Sequence, residues 1–339
     1  VAVSTFVKDA MEQPSNLLLK LSQKLFEDAG DRAQFIDALL HPKAFNPCIL
    51  WCQEKPSDSP FETEPPLIWQ PAFVERLAIE LKPGQHPLHS QGAFYCLDFS
   101  SVFAASTLLT LTKPVDLVID VCASPGGKSI FAWTALKPKQ LLGNEVIGKR
   151  TGALISNLKR CQIHPAIVLR LDSEILAKEI PQTAQVVIVD APCTGQSLLA
   201  KGGKAPGCFH PITINSNAKR QKRILANSAQ LVVANGYLAY MTCAYSLEEN
   251  EQVAAWFLRQ FPQFQAVKVP HLSLYQSHLT DFPCYRMFPQ QGLGAGAFTV
   301  LFQNTQDGHR RELPETFFTR PGLTVLPLPD RTIATHCEG

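Results

Sequence analysis

The chain has 339 residues, 45% of them apolar, and its 31 lysines and arginines against 29 aspartates and glutamates leave a formal net charge of +2. That length and apolar content suit one large α/β domain with a smaller companion, and exclude a low-complexity or disordered chain. Near-neutrality excludes polyanion binding through bulk charge, so a nucleic-acid partner has to be met by a local basic patch.

No uninterrupted apolar run reaches membrane-spanning length, and the opening residues, among them Lys8, Asp9 and Glu12, lack the apolar block of a signal peptide. The expectation is a cytoplasmic monomer with no membrane partner. The ten cysteines are scattered and read as reduced thiols. Cys48 and Cys52 have no second Cys/His pair at ligand spacing, so no metal site is expected.

In chain order, helical patterns run from Asn16 to Ala29 and from Arg32 to Leu40, followed by the apolar run Cys48 to Cys52 and a proline-laden stretch from Pro56 to Pro71. Residues 1–85 read as an accessory region. The main domain is expected over 86–305, opening with a helix from Ser100 to Leu109. Leu117 to Asp120 is a buried strand, the turn Ala123-Ser124-Pro125-Gly126-Gly127 follows, and a helix opens at Lys128. Glycines at a strand-to-helix turn let a polar or anionic ligand approach unpaired backbone N–H groups. The segment is neither G-x-G-x-x-G nor a P-loop.

A second strand, Leu141 to Glu145, precedes an amphipathic helix from Arg150 to Arg160. A third, Ala166 to Leu171, ends in Asp172, and a fourth, Val186 to Val189, ends in Asp190-Ala191-Pro192-Cys193. A polar helix from Asn215 to Val233 leads to a fifth, Tyr237 to Met241, ending in Thr242-Cys243. Alternation of this kind predicts a doubly wound, mostly parallel, Rossmann-like α/β sheet. Phe264 to Val269 and Ala297 to Gln303 are expected to pair antiparallel at one edge. The tail, 306–339, is proline-rich and carries no pattern.

Ligands of such sheets lie beyond the carboxyl ends of the strands. Glu145 follows the glycine turn by about twenty residues, the spacing at which an acid accepts hydrogen bonds from ribose hydroxyls, so a nucleoside-type ligand is expected. Cys193 and Cys243 stand at the ends of neighbouring strands over one pocket, where a thiolate suits attack on an electron-poor ring carbon. Lysines and arginines at 201, 204, 219, 220, 222 and 223, with Lys149, Arg150, Lys159 and Arg160, are candidates for phosphate contacts.

Asp120-Val-Cys-Ala-Ser-Pro-Gly-Gly-Lys128, Asp190-Ala-Pro-Cys193-Thr-Gly195, and Thr242-Cys243 followed by Glu248-Glu-Asn-Glu251 resemble the motifs of the RNA cytosine-5 methyltransferases of the Sun family, the RsmB and RsmF relatives. Order and spacing hold from about Gly84 to Phe302. The resemblance implies a class I methyltransferase fold and S-adenosyl-L-methionine as cofactor, held by Cys122, Ala123, Ser124, Pro125, Gly126, Gly127, Lys128, Glu145, Arg150, Asp172 and Asp190. Within that set it gives Glu145 the ribose, Asp172 the adenine end and the glycine loop the methionine moiety. It implies Cys243 as the nucleophile at carbon 6 of a cytosine, Asp190 at nitrogen 3, Cys193 assisting release of the product, and Lys128 near the reacting groups. A target base in RNA, ribosomal or transfer, must then be single-stranded or flipped out.

The sequence departs from the family pattern at Ser124, Glu145, Leu97 and Ala244, and the Leu-Arg-Val-Asn-Thr-like signature is absent around Ile49 to Gln53. These departures leave a catalytically silent RNA-binding or ribosome-assembly factor as the rival expectation. DNA cytosine methylation is disfavoured, because its nucleophile is expected in the Pro192-Cys193 motif.

Overall fold

Two capped helices open the part of the chain that the structure, a computed structural model, describes: residues 13–314, 317, 323–328 and 331–337. Helix α1 (Asn16–Leu25) starts where Ser15 Oγ accepts from Leu18 N, and α2 (Ala29–Leu40) where Asp28 Oδ1 accepts from Asp31 N at 2.9 Å. Asp28 as a cap explains why the first helix stops at Leu25 instead of reaching Ala29. The pair buries Leu21, Leu25, Phe35 and Leu39 in one cluster with Tyr245 and Ala295. The loop just past Cys243 therefore rests on these helices.

Strands β1 (Cys48–Trp51), β2 (Val74–Arg76) and β3 (Phe94–Cys96) form an antiparallel sheet in the order β2-β1-β3. Since β3 lies beyond residue 85, the boundary expected there runs through this sheet. Its residues Leu50 and Val74, with Trp69 of the loop before β2, also share a core with Phe103, Phe131 and Leu141 of the larger unit. Between α3 (Pro87–Ser90) and β3, Gly92 has φ +76°, and a Cβ on it would stand 1.6 Å from the carbonyl oxygen of Arg160. Arg160 Nη1 in turn donates to the carbonyls of His89 and Phe94, at 2.8 and 3.2 Å. Helix α4 (Phe99–Ala105) is capped by Asp98 and tightens into a 3-10 turn at Ser106–Thr110, where the sequence predicts one continuous helix.

The large sheet contains the parallel strands β4 (Leu117–Asp120), β5 (Gln140–Asn144), β6 (Ala166–Arg170), β7 (Ala184–Asp190) and β8 (Val232–Thr242). Helices α5 (Gly127–Leu136), α6 (Gly148–Arg160), α7 (Ser173–Glu179) and α8 (Pro211–Leu231) connect them, and α9 (Glu251–Gln260) follows β8. Side chains on successive residues point to opposite faces, so Val118 and Leu141 pack with α4 to α6 while Ile119 and Leu142 pack with Leu176, Leu225 and Phe257 of α7 to α9. This is the expected two-sided α/β architecture.

One edge is closed by β9 (Phe264–Ala266), β10 (Tyr285–Met287) and β11 (Ala297–Asn304), with β11 antiparallel to β8 on one side and to β9 and β10 on the other. The pairing expected between the first and last of these is present over Phe264–Ala266. At the other edge the tail supplies a hairpin, β12 (Leu323–Leu328) and β13 (Arg331–Cys337), with β13 parallel to β6. A tail without a readable pattern is thus recruited by an open strand edge, whose unpaired backbone groups accept almost any sequence. The order β10-β11-β8-β7-β4-β5-β6-β13-β12 places the topological switch between β4 and β7. No helix among the described residues is long and apolar enough to cross a membrane.

Candidate active site

At that switch two cavities meet. A cleft of about 390 Å³ is lined by Cys122, Ser124, Asn144, Glu145, Val146, Ile147, Arg150, Asp172, Asp190, Cys193, Arg220, Arg223 and Cys243, among others. A smaller pocket of about 200 Å³ is lined by Asp98, Ser100, Ser101, Lys128, Asp190, Ser197, Lys201, Thr242 and Cys243, among others. Asp190 and Cys243 belong to both, so a group in one reaches a group in the other across these two side chains.

Cys193 and Cys243, brought together from the ends of β7 and β8, have their sulfurs 3.1 Å apart. The hydrogen bond from Cys193, supported by Ser197 and Lys128, brings the Cys243 thiol down to about 7 against the opposing effects of burial and Asp190. The same bond and burial push Cys193 well up. The pair is therefore asymmetric, with Cys243 the more acidic of the two thiols. Lys128 Nζ donates to Asp190 Oδ2 at 2.7 Å and to Ser101 Oγ at 3.3 Å. Burial opposes the lysine charge, and the neighbouring Asp190 more than offsets it, holding Lys128 above its ordinary value.

What fixes the two thiol-bearing loops is Glu249, which is fully buried. Its Oε1 accepts from Thr194 N at 2.9 Å and Gln221 Nε2 at 3.1 Å, and its Oε2 from Thr194 Oγ1 at 2.6 Å and Ser246 Oγ at 2.8 Å. Thr194 adjoins Cys193 and Ser246 follows Cys243 by three residues, so one carboxylate clamps both loops. Gln221 also donates to the carbonyl of Pro192 at 3.0 Å. Asn250 accepts from Thr242 Oγ1 and donates to the carbonyl of Ala244 at 2.8 Å, closing the turn around Cys243. Glu251 forms a buried ion pair with Arg286, which donates onward to the carbonyl of Tyr245 at 2.9 Å.

Along the other cavity, Asn144 joins three strand ends: its Nδ2 donates to the carbonyls of Val121 and Leu171, and its Oδ1 accepts from Leu171 N. Glu145 is 3% exposed and accepts from Ile147 N at 2.9 Å, with Arg150 3.4 Å away. Arg150 Nη2 donates to the carbonyl of Ser124 at 2.7 Å, so it braces the glycine turn. Asp120, beneath that turn, is fully buried, accepts from Ser129 Oγ at 2.6 Å, and is pushed up by burial to about 7.

Of the residues singled out from the sequence, Cys122, Ser124, Glu145, Arg150, Asp172, Asp190, Cys193 and Cys243 line the larger cleft, and Lys128 lines the smaller pocket. Ala123, Pro125, Gly126 and Gly127 form the turn behind the wall. Gly126 does take positive φ, at +115°, but the side of Gly127 where a Cβ would stand is filled by Leu97 and Tyr95, 2.6 and 3.3 Å away. Its missing side chain serves packing against β3 and the residue after it. Asp172 caps α7 and is held by Arg223 at 3.1 Å, which engages the acid expected at the adenine end.

The basic residues also divide. Lys201 pairs with Asp98, Arg223 with Asp172, Lys222 lies over the ring of Trp256 and Arg160 is spent on backbone carbonyls, whereas Lys204 and Lys219 stay exposed. Sequence reasoning passed over Glu249, Gln221, Asn144 and Ser101. Glu249 sits inside a quoted motif, and Gln221 is the uncharged residue interrupting Lys219-Arg220 and Lys222-Arg223, a visible sign of a buried face.

The parallel-rich sheet with a cleft at its switch point and reactive side chains on the strand ends defines an α/β protein of the Rossmann-like methyltransferase type. The chain belongs to the 16S rRNA methyltransferase RsmB/F family, whose sequence model matches residues 107–303. It is 28% identical over 250 residues to the ribosomal RNA small subunit methyltransferase F of Pectobacterium carotovorum, covering 73% of this chain and 50% of that protein. With the protein of the same name from Vibrio cholerae it shares 33% identity over 174 residues, 51% of this chain and 36% of the relative. The chain thus spans about half the length, or less, of these curated relatives.

Among solved structures, NSun6 from Pyrococcus horikoshii with SFG superposes with a TM-score of 0.66 at 17% identity, covering 86% of this chain and 99% of that one. A methyltransferase homolog protein from the same organism gives 0.65 at 20%, covering 86% and 100%. At these identities the likeness establishes the fold.

Proposed function

We propose that the protein methylates carbon 5 of a cytosine in RNA, with S-adenosyl-L-methionine as methyl donor and Cys243 as covalent nucleophile. The observation that carries this reading is the thiol pair 3.1 Å apart, one sulfur poised as thiolate, over the pocket where Asp190 and Lys128 stand. The larger cleft fits the cofactor by its chemistry: the buried acid Glu145 suits a ribose diol, and the adjoining Val146 and Ile147, 54% and 43% exposed, offer apolar surface to a purine. Bound there, S-adenosyl-L-methionine supplies an electrophilic methyl group.

The residues of the chain do the rest. Cys243 Sγ forms a bond to carbon 6 of the ring, and the electron pair displaced from the double bond makes carbon 5 nucleophilic. Asp190, hydrogen-bonded to the Lys128 ammonium, faces nitrogen 3, passes it a proton as negative charge develops there, and takes the proton back when Cys243 leaves. After methyl transfer a solvent water takes the proton from carbon 5, that C–H electron pair re-forms the double bond between carbons 5 and 6, and Cys243 Sγ leaves carbon 6 as thiolate, restoring the aromatic ring. Cys193, still protonated, assists that release. The pocket is shaped for one base, so the RNA must present it unpaired. The silent-factor alternative is disfavoured by the presence of every reacting side chain at the two cavities, from which Ala244 in place of the usual serine removes none.

The test is a pair of variants incubated with single-stranded RNA and S-adenosyl-L-methionine. Cys243→Ala is expected to abolish methyl transfer while keeping cofactor affinity. Cys193→Ala is expected to accumulate RNA covalently joined to Cys243, seen as a slow-migrating, RNase-sensitive band on a denaturing gel. Turnover in Cys243→Ala would refute the mechanism.

A further inference from the structure

An open groove of about 760 Å³, the larger neighbour of the 200 Å³ reaction pocket, runs between the segment after α2 and the start of α4. Asp98 and Lys201 line both spaces. The two cavities therefore share a wall of two side chains, one from the N-cap of α4 and one from the turn after β7. A nucleotide whose base fills the pocket has phosphates leading out of it, and the groove is the space next door.

The groove's chemistry suits what would leave the pocket. Asp98 is its single carboxylate, and that charge is already matched by Lys201 and by the N–H of Ser100. Lys43 adds an exposed cation that has no ion-pair partner among the described residues. The balance facing an anionic strand is thus positive. The remaining lining is largely apolar, with the half-buried Phe45 and the prolines 42, 47 and 83. Aromatic and proline surfaces accept the flat face of a base without demanding a particular sequence, and proline leaves no N–H to desolvate.

We propose that this groove binds the RNA nucleotide adjoining the target cytosine, its base against Phe45 and the prolines and its phosphate at Lys43. The site is built jointly by the accessory region, the start of α4 and the turn after β7, and it makes a short single-stranded run, rather than an isolated base, the unit of recognition. The proposal rests on the reading of the smaller pocket as the seat of an RNA base.

Gly84 offers a direct test, because a Cβ there meets no atom within 4 Å and its side-chain direction is open. Gly84→Trp and Lys43→Ala are compared with the unaltered protein for binding a fluorescent single-stranded decaribonucleotide containing one cytosine, at several salt concentrations. Gly84→Trp is expected to weaken binding about tenfold at every salt concentration, the scale of one lost stacked base. Lys43→Ala is expected to flatten the dependence of log affinity on log salt by roughly 0.7, one single-strand phosphate contact. Thermal melting checks that Gly84→Trp folds, and if it does not, Lys43→Ala decides alone. Unchanged affinity and slope in the variants would overturn the groove while leaving the reaction pocket to the Cys243→Ala test. Failure of the unaltered protein to bind the RNA at low salt would overturn the proposal together with the RNA reading.

Discussion

The two cavities that meet at Asp190 and Cys243 are built on opposite plans. Around the smaller pocket the functional side chains are held by a hydrogen-bond network: the buried Glu249 across both cysteine loops, the buried Asn250 across the turn at Cys243, and the half-buried Ser101 beside Lys128. Around the larger cleft, apolar side chains stand exposed and the acid Glu145 keeps a single close donor, Ile147 N, with Arg150 farther off. The difference teaches where precision is needed. On the proposed mechanism a thiolate must meet one ring carbon, which calls for loops fixed before any substrate arrives, whereas the cleft proposed for the flexible cofactor needs complementary surface.

The sharpest way to break this contrast is to remove the clamp. Glu249→Ala leaves Thr194 N without its acceptor and takes from Gln221 Nε2 one of its two, and is expected to destabilise the fold by about 3–5 kcal/mol, the cost of opening a buried charged network. Glu249→Gln keeps the shape, and its NH2 can face the hydroxyls of Thr194 and Ser246, which rotate to accept. It is expected to recover most of that loss, as read by urea unfolding. Equal destabilisation by both variants would mean that the charge, not the clamp, is what the site requires.

A smaller effect is expected on the cleft side. Glu145→Ala removes one charged acceptor from a site with few others, so S-adenosyl-L-methionine binding should weaken about ten- to a hundredfold, or ~1.5–3 kcal/mol. Calorimetry that found the affinity unchanged would remove Glu145 from the cofactor site.

The smallest expected effect sharpens the asymmetry of the thiol pair. Alkylation of Cys243 by iodoacetamide should rise with pH and reach half its maximum near pH 7, because the thiol is unreactive below that value and the thiolate predominates above it. Cys193→Ala removes the leading cause of the depression, so the midpoint should move up toward the ordinary thiol value of about 8.5 and the rate at pH 7 should fall about tenfold. Mass spectrometry of the labelled peptide measures both, and an unmoved midpoint would assign the depression to Lys128 and Ser197.

Legibility in the sequence follows the same division. Strand ends and their cargo, Asp190, Cys193 and Cys243, could be read because a buried parallel strand announces itself by an apolar run and stops where polarity begins. The central strands and the antiparallel closing edge were legible for that reason. Glu249 and Gln221 were not, since their role depends on a contact between segments 28 residues apart that no local period encodes. Asp172, which the family resemblance assigns to the adenine end, is engaged by Arg223, a partner 51 residues away. The three-stranded sheet escaped because its strands are three or four residues long, too short to display alternation, and its third member lies past the composition change at residue 85.

Gly92 carries a consequence for how this sequence can vary. With the Arg160 carbonyl oxygen 1.6 Å from where a Cβ would stand, position 92 admits hydrogen alone, and the obstacle is backbone that no rotamer change can move aside. Any heavier substituent must lift β3 away from the end of α6, and with it the short chain from Leu97 to Asp98 that ends at the groove. Drift is therefore closed at this weld between β3 and α6. A homologue that lacks glycine here has to have changed the end of α6 as well, so the two positions are expected to vary as one.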